Sequence, residues 1–211
     1  IELGARSVDH LEATGEDGVR ASLTWAQVSR AVTKLGEALV AMGIEPGDRV
    51  ALCLPNCPQF MVAEFAAWKV GAIVCPFNPT YTDREMVEAL CTTGAETLVV
   101  LNRFYDKVKA IQPATSLKRI VATNIKEYLP PLLRIAYTFL KEKKEGDRIS
   151  VREGDHRLAN LMRRFSSAPR PEVRVSPIDP SVILLSGGTS KGAGDVSYRV
   201  LARRDPGIVV H

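Results

Sequence analysis

Pro46-Gly47-Asp48-Arg49-Val50-Ala51-Leu52-Cys53-Leu54-Pro55-Asn56 is the stretch on which the fold turns. Pro46-Gly47-Asp48 is turn chemistry. Val50 to Leu54 is then apolar at every position, with no polar alternation, as a strand buried on both faces requires. A strand covered twice needs helices above and below it. Upstream, Trp25, Val28, Val32, Leu35, Leu39 and Met42 recur at steps of three and four and form one apolar stripe. Thr24 and Gln27 make a capping box at its start, Leu23 and Val28 a hydrophobic staple, and Gly43 is placed to end it. Downstream, Pro55-Asn56 stops the strand. Asn56 and Gln59 suggest a second capping box, with Pro58 in the first turn. Met61, Phe65 and Trp68 mark the apolar face of that helix, and Gly71 ends it.

The unit recurs. Ala72-Ile73-Val74-Cys75 is a strand, and Thr82-Asp83-Arg84-Glu85 opens a helix that carries Met86, Val87 and Leu90 and closes at Gly94. Leu98-Val99-Val100-Leu101 is the next strand, residues 104–112 a short helix, and Ile120-Val121-Ala122 a further strand. Strands alternating with helices predict parallel pairing through right-handed crossovers. The expected fold class is α/β: an open, mostly parallel sheet with helices on both faces. Ligands of such sheets bind at the carboxyl ends of the strands. Residues 1–22 carry few periodic signals, and Gly15 to Gly18 reads as a turn.

The chain has 211 residues, 45% hydrophobic and 25% charged, which is ordinary globular composition with enough length for a real core. A net charge of +4, without a basic stripe interleaved with aromatics, argues against nucleic acid as a partner. Cys53, Cys57, Cys75 and Cys91 form no Cys-x-x-Cys pair and the histidines are scattered, so no metal site is expected. Cys53 and Cys75 lie in apolar runs and read as buried thiols suited to a reducing cytoplasm. No signal peptide or spanning segment is legible; the longest apolar stretch, Phe60 to Phe77, is broken by Glu64 and Lys69. The sequence begins at Ile1 rather than methionine, and is expected to be a fragment of a larger product.

From 126 to 180 the pattern is less regular. Tyr128 to Leu140 is apolar and aromatic, and Lys141-Glu142-Lys143-Lys144-Glu145 follows it. Such a segment suits a membrane interface. The alternative, a helix packed on the body with a solvated end, is favoured because two glutamates keep the cluster's net charge small. Residues 156–165 suit a short helix presenting Leu158, Leu161, Met162 and Phe165. After a proline-rich connection, Val182-Ile183-Leu184-Leu185 reads as a buried strand that empties into Ser186-Gly187-Gly188-Thr189-Ser190-Lys191-Gly192. Glycines let backbone N–H groups converge on an anion, hydroxyls add donors and lysine adds a mobile charge, which is phosphate chemistry. A flexible surface turn has the same composition. The loop is neither a Walker A motif nor a dinucleotide fingerprint.

The order of these pieces resembles the amino-terminal region of adenylate-forming, AMP-binding enzymes: acyl-CoA synthetases, luciferases and peptide-synthetase adenylation domains. The resemblance is carried by Leu23-Thr24-Trp25, by Pro46 to Leu52, by Leu54-Pro55-Asn56-Cys57-Pro58-Gln59-Phe60 and by Gly71 to Pro79. Asn78-Pro79-Thr80-Tyr81-Thr82-Asp83-Arg84-Glu85 and Ile125 to Leu133, with the Lys-Glu-Lys-Lys-Glu-Gly after them, look most like long-chain fatty-acid–CoA ligases. The resemblance runs from about residue 20 to residue 192 and implies a partial amino-terminal domain over 1–192. Gly194 to His211 does not match, and a tail over 193–211 is what a deletion, a frameshift or a misplaced gene end would leave.

In that family the 186–192 loop binds ATP phosphates. Ser186, Gly187, Gly188, Thr189, Ser190, Lys191 and Gly192 are therefore the expected binding residues, with Thr189 and Lys191 in the catalytic role. The match needs a gap of about three residues between Thr189 and Ser190. The implied reaction joins a fatty acid to coenzyme A through an acyl-adenylate, using ATP and Mg²⁺. Its later motifs would lie beyond residue 211, so the chain is expected to be inactive alone and cytoplasmic, with peripheral membrane contact as a further expectation. The alternatives are a fragment of another acid-activating enzyme, or a non-catalytic remnant that binds a partner or a membrane. A cut sheet also exposes an edge and an apolar face, so aggregation or partner dependence is expected.

Overall fold

The computed structural model describes residues 2–7, 10–14, 20–165, 173–176 and 178–185. Three strands come first: β1 (Glu2–Ser7), β2 (His10–Thr14) and β3 (Arg20–Thr24) form an antiparallel sheet with β2 in the middle. The sequence gives little warning of it, because these short strands mix small and charged residues instead of alternating cleanly. The turn expected at Gly15 to Gly18 lies outside the described residues.

Helix α1 (Trp25–Ala41) follows without a break. Its capping box forms as expected: Thr24 Oγ1 accepts from Gln27 N at 3.2 Å, and Gln27 Oε1 accepts from Thr24 N at 2.8 Å. Val28, Val32, Leu35 and Leu39 are buried along its stripe, whereas Trp25 at the open end is largely exposed. Gly43, at φ +81°, ends it.

The main sheet holds β4 (Arg49–Cys53), β5 (Ile73–Pro76), β6 (Thr97–Leu101), β7 (Arg119–Thr123) and β8 (His156–Arg157). All pairings are parallel, in the order β5-β4-β6-β7-β8. Val50, Leu52, Val74, Val99, Leu101 and Val121 pack with α1, with α2 (Pro58–Lys69) and, nearer β8, with Leu158 and Leu161. Ala51, Cys53, Cys75, Leu98, Val100, Ile120 and Ala122 pack on the other face with α3 (Asp83–Thr93) and α4 (Asn102–Ile111). Successive residues of one strand thus serve opposite cores, which is why the strands read as unbroken apolar runs. Gly71, at φ +76°, brings its carbonyl within 2.8 Å of Gly47 N; a Cβ there would lie 3.0 Å from Pro46 Cβ.

Several local expectations are corrected. The capping box at Asn56 and Gln59 does not form: Cys57 is the N-cap, without a side-chain bond. Pro58 opens the helix and Gln59 turns inward, fully buried, to donate Nε2 to Asn124 O at 3.0 Å. The packed face of α2 is Val62, Ala63, Ala66 and Ala67, while Met61, Phe65 and Trp68 flank it half-buried. The helix is apolar nearly all round, so size was a poor guide to its inner face. Val182 to Leu185 is not a buried strand. Val182 makes a single parallel bridge to Val74 outside β5, and Leu184 is 55% exposed, because this segment lies at the sheet's edge.

After β7, a 3₁₀ turn (Ile125–Tyr128) leads to α5 (Pro131–Leu140). This helix packs on the body through its polar side only: Ala136, Tyr137 and Thr138 are half-buried, while its large apolar side chains are exposed. The short helix near residue 160 is α6 (Leu158–Arg164), with Leu158 and Leu161 in the core and Met162 and Phe165 against it.

Among the described residues the free thiols divide sharply: Cys53, Cys57 and Cys75 are buried and Cys91 is exposed. Burial pushes Cys53 up to about 12, with the Lys107 charge offsetting part of the rise, and pushes Cys57 and Cys75 to about 11. A thiol reagent at pH 8 is therefore expected to label Cys91 quickly and the other three only on unfolding. Above the ordinary value of 9.0 the unfolded thiols ionise while the buried ones keep their protons. The unfolded chain then binds fewer protons, so stability falls as pH rises from 9.0 through about 11 to 12. Below that window the thiols contribute no pH dependence. Urea midpoints at pH 8 and pH 10.5 check the sign; a midpoint that rises would contradict it.

Candidate functional site at the carboxyl edge of the sheet

All strands of the main sheet point the same way, so their carboxyl ends form one edge. An asparagine follows each of four of them closely: Asn56 after β4, Asn78 after β5, Asn102 after β6 and Asn124 after β7. The recurrence is visible in the sequence as an asparagine one to three residues past each of these strands. Asparagine at such positions supplies the side-chain groups that a turn leaving a strand needs.

Over β6 and β7 the edge is closed by a polar network. Asn102 Nδ2 donates to Asp147 O at 2.8 Å, and Asn124 Nδ2 to Glu142 Oε1 at 3.2 Å. The Asp147 carboxylate, 1% exposed, accepts from Arg103 N at 3.2 Å, from Arg103 Nη2 at 3.0 Å and from the Tyr137 hydroxyl. Burial and the Asp147 carboxylate raise the Tyr137 hydroxyl's pKa and keep it a donor. Lys126 Nζ lies 2.6 Å from Glu142 Oε1. These groups largely satisfy one another, and they pin the segment after α5 across the strand ends. Gln59 Oε1 and Asn102 Oδ1 are buried there without a hydrogen-bond partner among the described residues.

Over β4 and β5 the edge is different. Asn56, Asn78 and Thr80 are exposed. Asn78 Oδ1 accepts from Thr80 N at 2.9 Å and from Thr80 Oγ1 at 2.8 Å, holding the turn open. Lys107 Nζ donates to Tyr81 O and lies 3.4 Å from the Asp83 carboxylate.

The segment 181–185 runs to this same place. Val74 N donates to Ser181 O and Ile183 N donates to Val74 O, both at 2.9 Å, and Trp68 Nε1 donates to Ser181 O at 2.8 Å. Being parallel to β5, the segment is directed toward the carboxyl edge, with Ile183 and Leu185 against the α3 and α4 core. Leu185 is the last described residue. The expected site residues Ser186, Gly187, Gly188, Thr189, Ser190, Lys191 and Gly192 lie outside the described residues, as does the tail over 193–211.

Among the described residues no group of three or more His, Cys, Asp or Glu side chains could hold a metal ion. None of their helices is long and apolar enough to cross a membrane. A cleft of about 480 Å³ opens beside β8, lined by Val151, Asp155, His156, Arg157, Asn160, Leu161 and Arg164. It is at the opposite edge from β5, and its buried Asp155 is committed to Tyr105, Lys109 and the Ile120 amide.

A parallel sheet covered on both faces, with the segment 181–185 beside β5 and directed toward its carboxyl edge, defines an α/β protein. A family model described as AMP-binding enzyme matches residues 5–190, and the chain belongs to that family. The long-chain-fatty-acid–CoA ligase of Bacillus subtilis (strain 168) is 27% identical over 187 residues, covering 87% of this chain and 33% of that protein. The acetoacetyl-coenzyme A synthetase of Rhizobium meliloti (strain 1021) is 29% identical over 187 residues, covering 87% of this chain and 27% of that protein. The crystal structure of an acyl-CoA synthetase from Brucella canis superposes with a TM-score of 0.65 at 22% identity, over 85% of this chain and 28% of that one. The chain thus spans about a third or less of these relatives.

Proposed function

We propose that the chain is the amino-terminal part of a long-chain fatty-acid–CoA ligase in which Ser186 to Gly192 binds the phosphates of ATP. The observation that supports this best is the arrival of 181–185 beside β5, inside a family match that continues to residue 190. On this reading the domain's share is 1–192 and the tail over 193–211 stands apart from it. Gly187, Gly188 and Gly192 let N–H groups approach phosphate oxygens, while Ser186, Thr189 and Ser190 add hydroxyl donors. The fatty carboxylate attacks the α-phosphorus and pyrophosphate departs. Thr189 and Lys191 stabilise the charge that builds on the departing phosphate. The coenzyme A thiol then takes the acyl group and AMP leaves. Mg²⁺ belongs to the same reaction, but the described residues hold no group of three or more His, Cys, Asp or Glu side chains that fits it. A cytoplasmic location accords with the buried free thiols.

A second reading keeps the chemistry and changes the acid. The acetoacetyl-coenzyme A synthetase matches the same length of this chain at 29% identity, against 27% for the fatty-acid ligase.

Equilibrium binding of ATP tests the loop. Lys191→Ala is expected to weaken binding about tenfold, the loss of one charge-assisted contact. Equal affinities, or no ATP binding by the unsubstituted chain, would remove the assignment. With ATP, Mg²⁺, coenzyme A and palmitate or acetoacetate, no thioester is expected. Palmitoyl-CoA would show that no further segments are needed, and acetoacetyl-CoA would favour the second reading.

A further inference from the structure

Helix α5 is built inside out. A surface helix normally turns its apolar stripe to the core and its polar face to water. At about 100° per residue, Ile135, Phe139, Leu132, Ala136, Leu140 and Leu133 fall in that order on one continuous arc. The arc faces outward: Leu132, Phe139 and Leu140 are 78%, 83% and 76% exposed. The polar residues face the body. Arg134 donates to the Lys126 and Glu127 carbonyls, Tyr137 to Asp147, and Lys126 Nζ donates to Thr138 Oγ1 at 3.2 Å. Hydrogen bonds to the protein therefore hold the helix with its greasy side out.

The charges beside it are sorted in the same way. Glu142 is buried against Lys126, and Glu145 is paired with Arg103 at 3.7 Å. Lys141, Lys143, Lys144 and Arg148 are exposed. Of the two glutamates that make the run look balanced in sequence, Glu142 is withdrawn into the body and Glu145 stays exposed beside Arg103, so four exposed cations face one exposed, paired acid next to the apolar arc.

We infer that α5 and the Lys141–Arg148 segment form a docking surface for an anionic lipid bilayer. The apolar arc enters the headgroup boundary and the lysines meet the lipid phosphates. An exposed apolar arc alone would suit any hydrophobic partner. The flanking cations, with Glu142 turned inward and Glu145 paired with Arg103, select a negatively charged surface. The flotation assay does not involve ATP, so failure of this inference and failure of the ATP-binding reading are distinguishable.

Vesicle flotation of the 211-residue chain tests it, since protein aggregates do not float. The chain is expected to float with phosphatidylglycerol–phosphatidylcholine vesicles at low salt and not with phosphatidylcholine alone. Leu132→Ser/Phe139→Ser and, separately, Lys143→Glu/Lys144→Glu are expected to lower the bound fraction about tenfold or more. All four positions are exposed, and matching circular dichroism melts establish that the variants fold alike. No flotation of the unsubstituted chain, or equal flotation of all forms, overturns the inference. A concentration-dependent dimer abolished by Leu132→Ser/Phe139→Ser, without flotation, would assign the arc to a second copy instead.

Discussion

Asp147→Leu is expected to lower the unfolding free energy by about 3–5 kcal/mol. The carboxylate is 1% exposed and takes bonds from the Arg103 amide and guanidinium and from the Tyr137 hydroxyl. Leucine removes every acceptor at once. It leaves the Tyr137 hydroxyl and the Arg103 amide without this acceptor, and the guanidinium, 31% exposed, with only the longer contact to Glu145. Asp147→Asn keeps an acceptor of nearly the same shape and loses the charge, so about half of the effect should return. Urea unfolding followed by circular dichroism measures both. A shift below about 1 kcal/mol for the leucine variant would mean that the network does not hold the strand ends.

Leu98→Ala is expected to cost about 3–5 kcal/mol, whereas Leu132→Ala should change stability by less than about 0.5 kcal/mol. Leu98 is fully buried in β6, between β4 and β7, against the α3 and α4 core. Truncation there opens a cavity among residues held by the sheet. Leu132 is 78% exposed, and truncation leaves nothing unfilled. If both substitutions cost the same, the outward face of α5 is covered in solution. That result would also weaken the lipid-docking inference.

The parts of the fold legible in the sequence are those in which one physical demand dominates. Val50 to Leu54 and Leu98 to Leu101 are apolar throughout because both sheet faces are covered, and nothing competes with that signal. The Thr24–Gln27 and Thr82–Glu85 boxes are local and self-contained, and both form. Asn56 and Gln59 have comparable spacing, but Gln59 finds a more distant partner in Asn124 and the box is lost. The opening hairpin strands were missed because their pattern is too short and mixed to stand out. The balance of Lys141 to Glu145 misled because charge counting ignores direction: Glu142 points at Lys126, not at solvent. The polar network depends on Asp147 meeting residues from β6, β7 and α5, which no local spacing records. Of the candidate site, the composition of 186–192 is legible in the sequence. The structure adds the segment 181–185 beside β5 and the exposed Asn56, Asn78 and Thr80 at that end of the sheet.

The hold on the segment 181–185 is slight and distant. Ser181 bonds the Trp68 indole across 113 positions of sequence, and Val182 touches the sheet at one bridge. Closing so long a stretch of chain costs more entropy than the nearer β4–β5 and β6–β7 pairings. So few contacts at an edge also open at little cost. Trp68 stands at that seam, and its fluorescence becomes a built-in gauge of whether the loop's stem is seated.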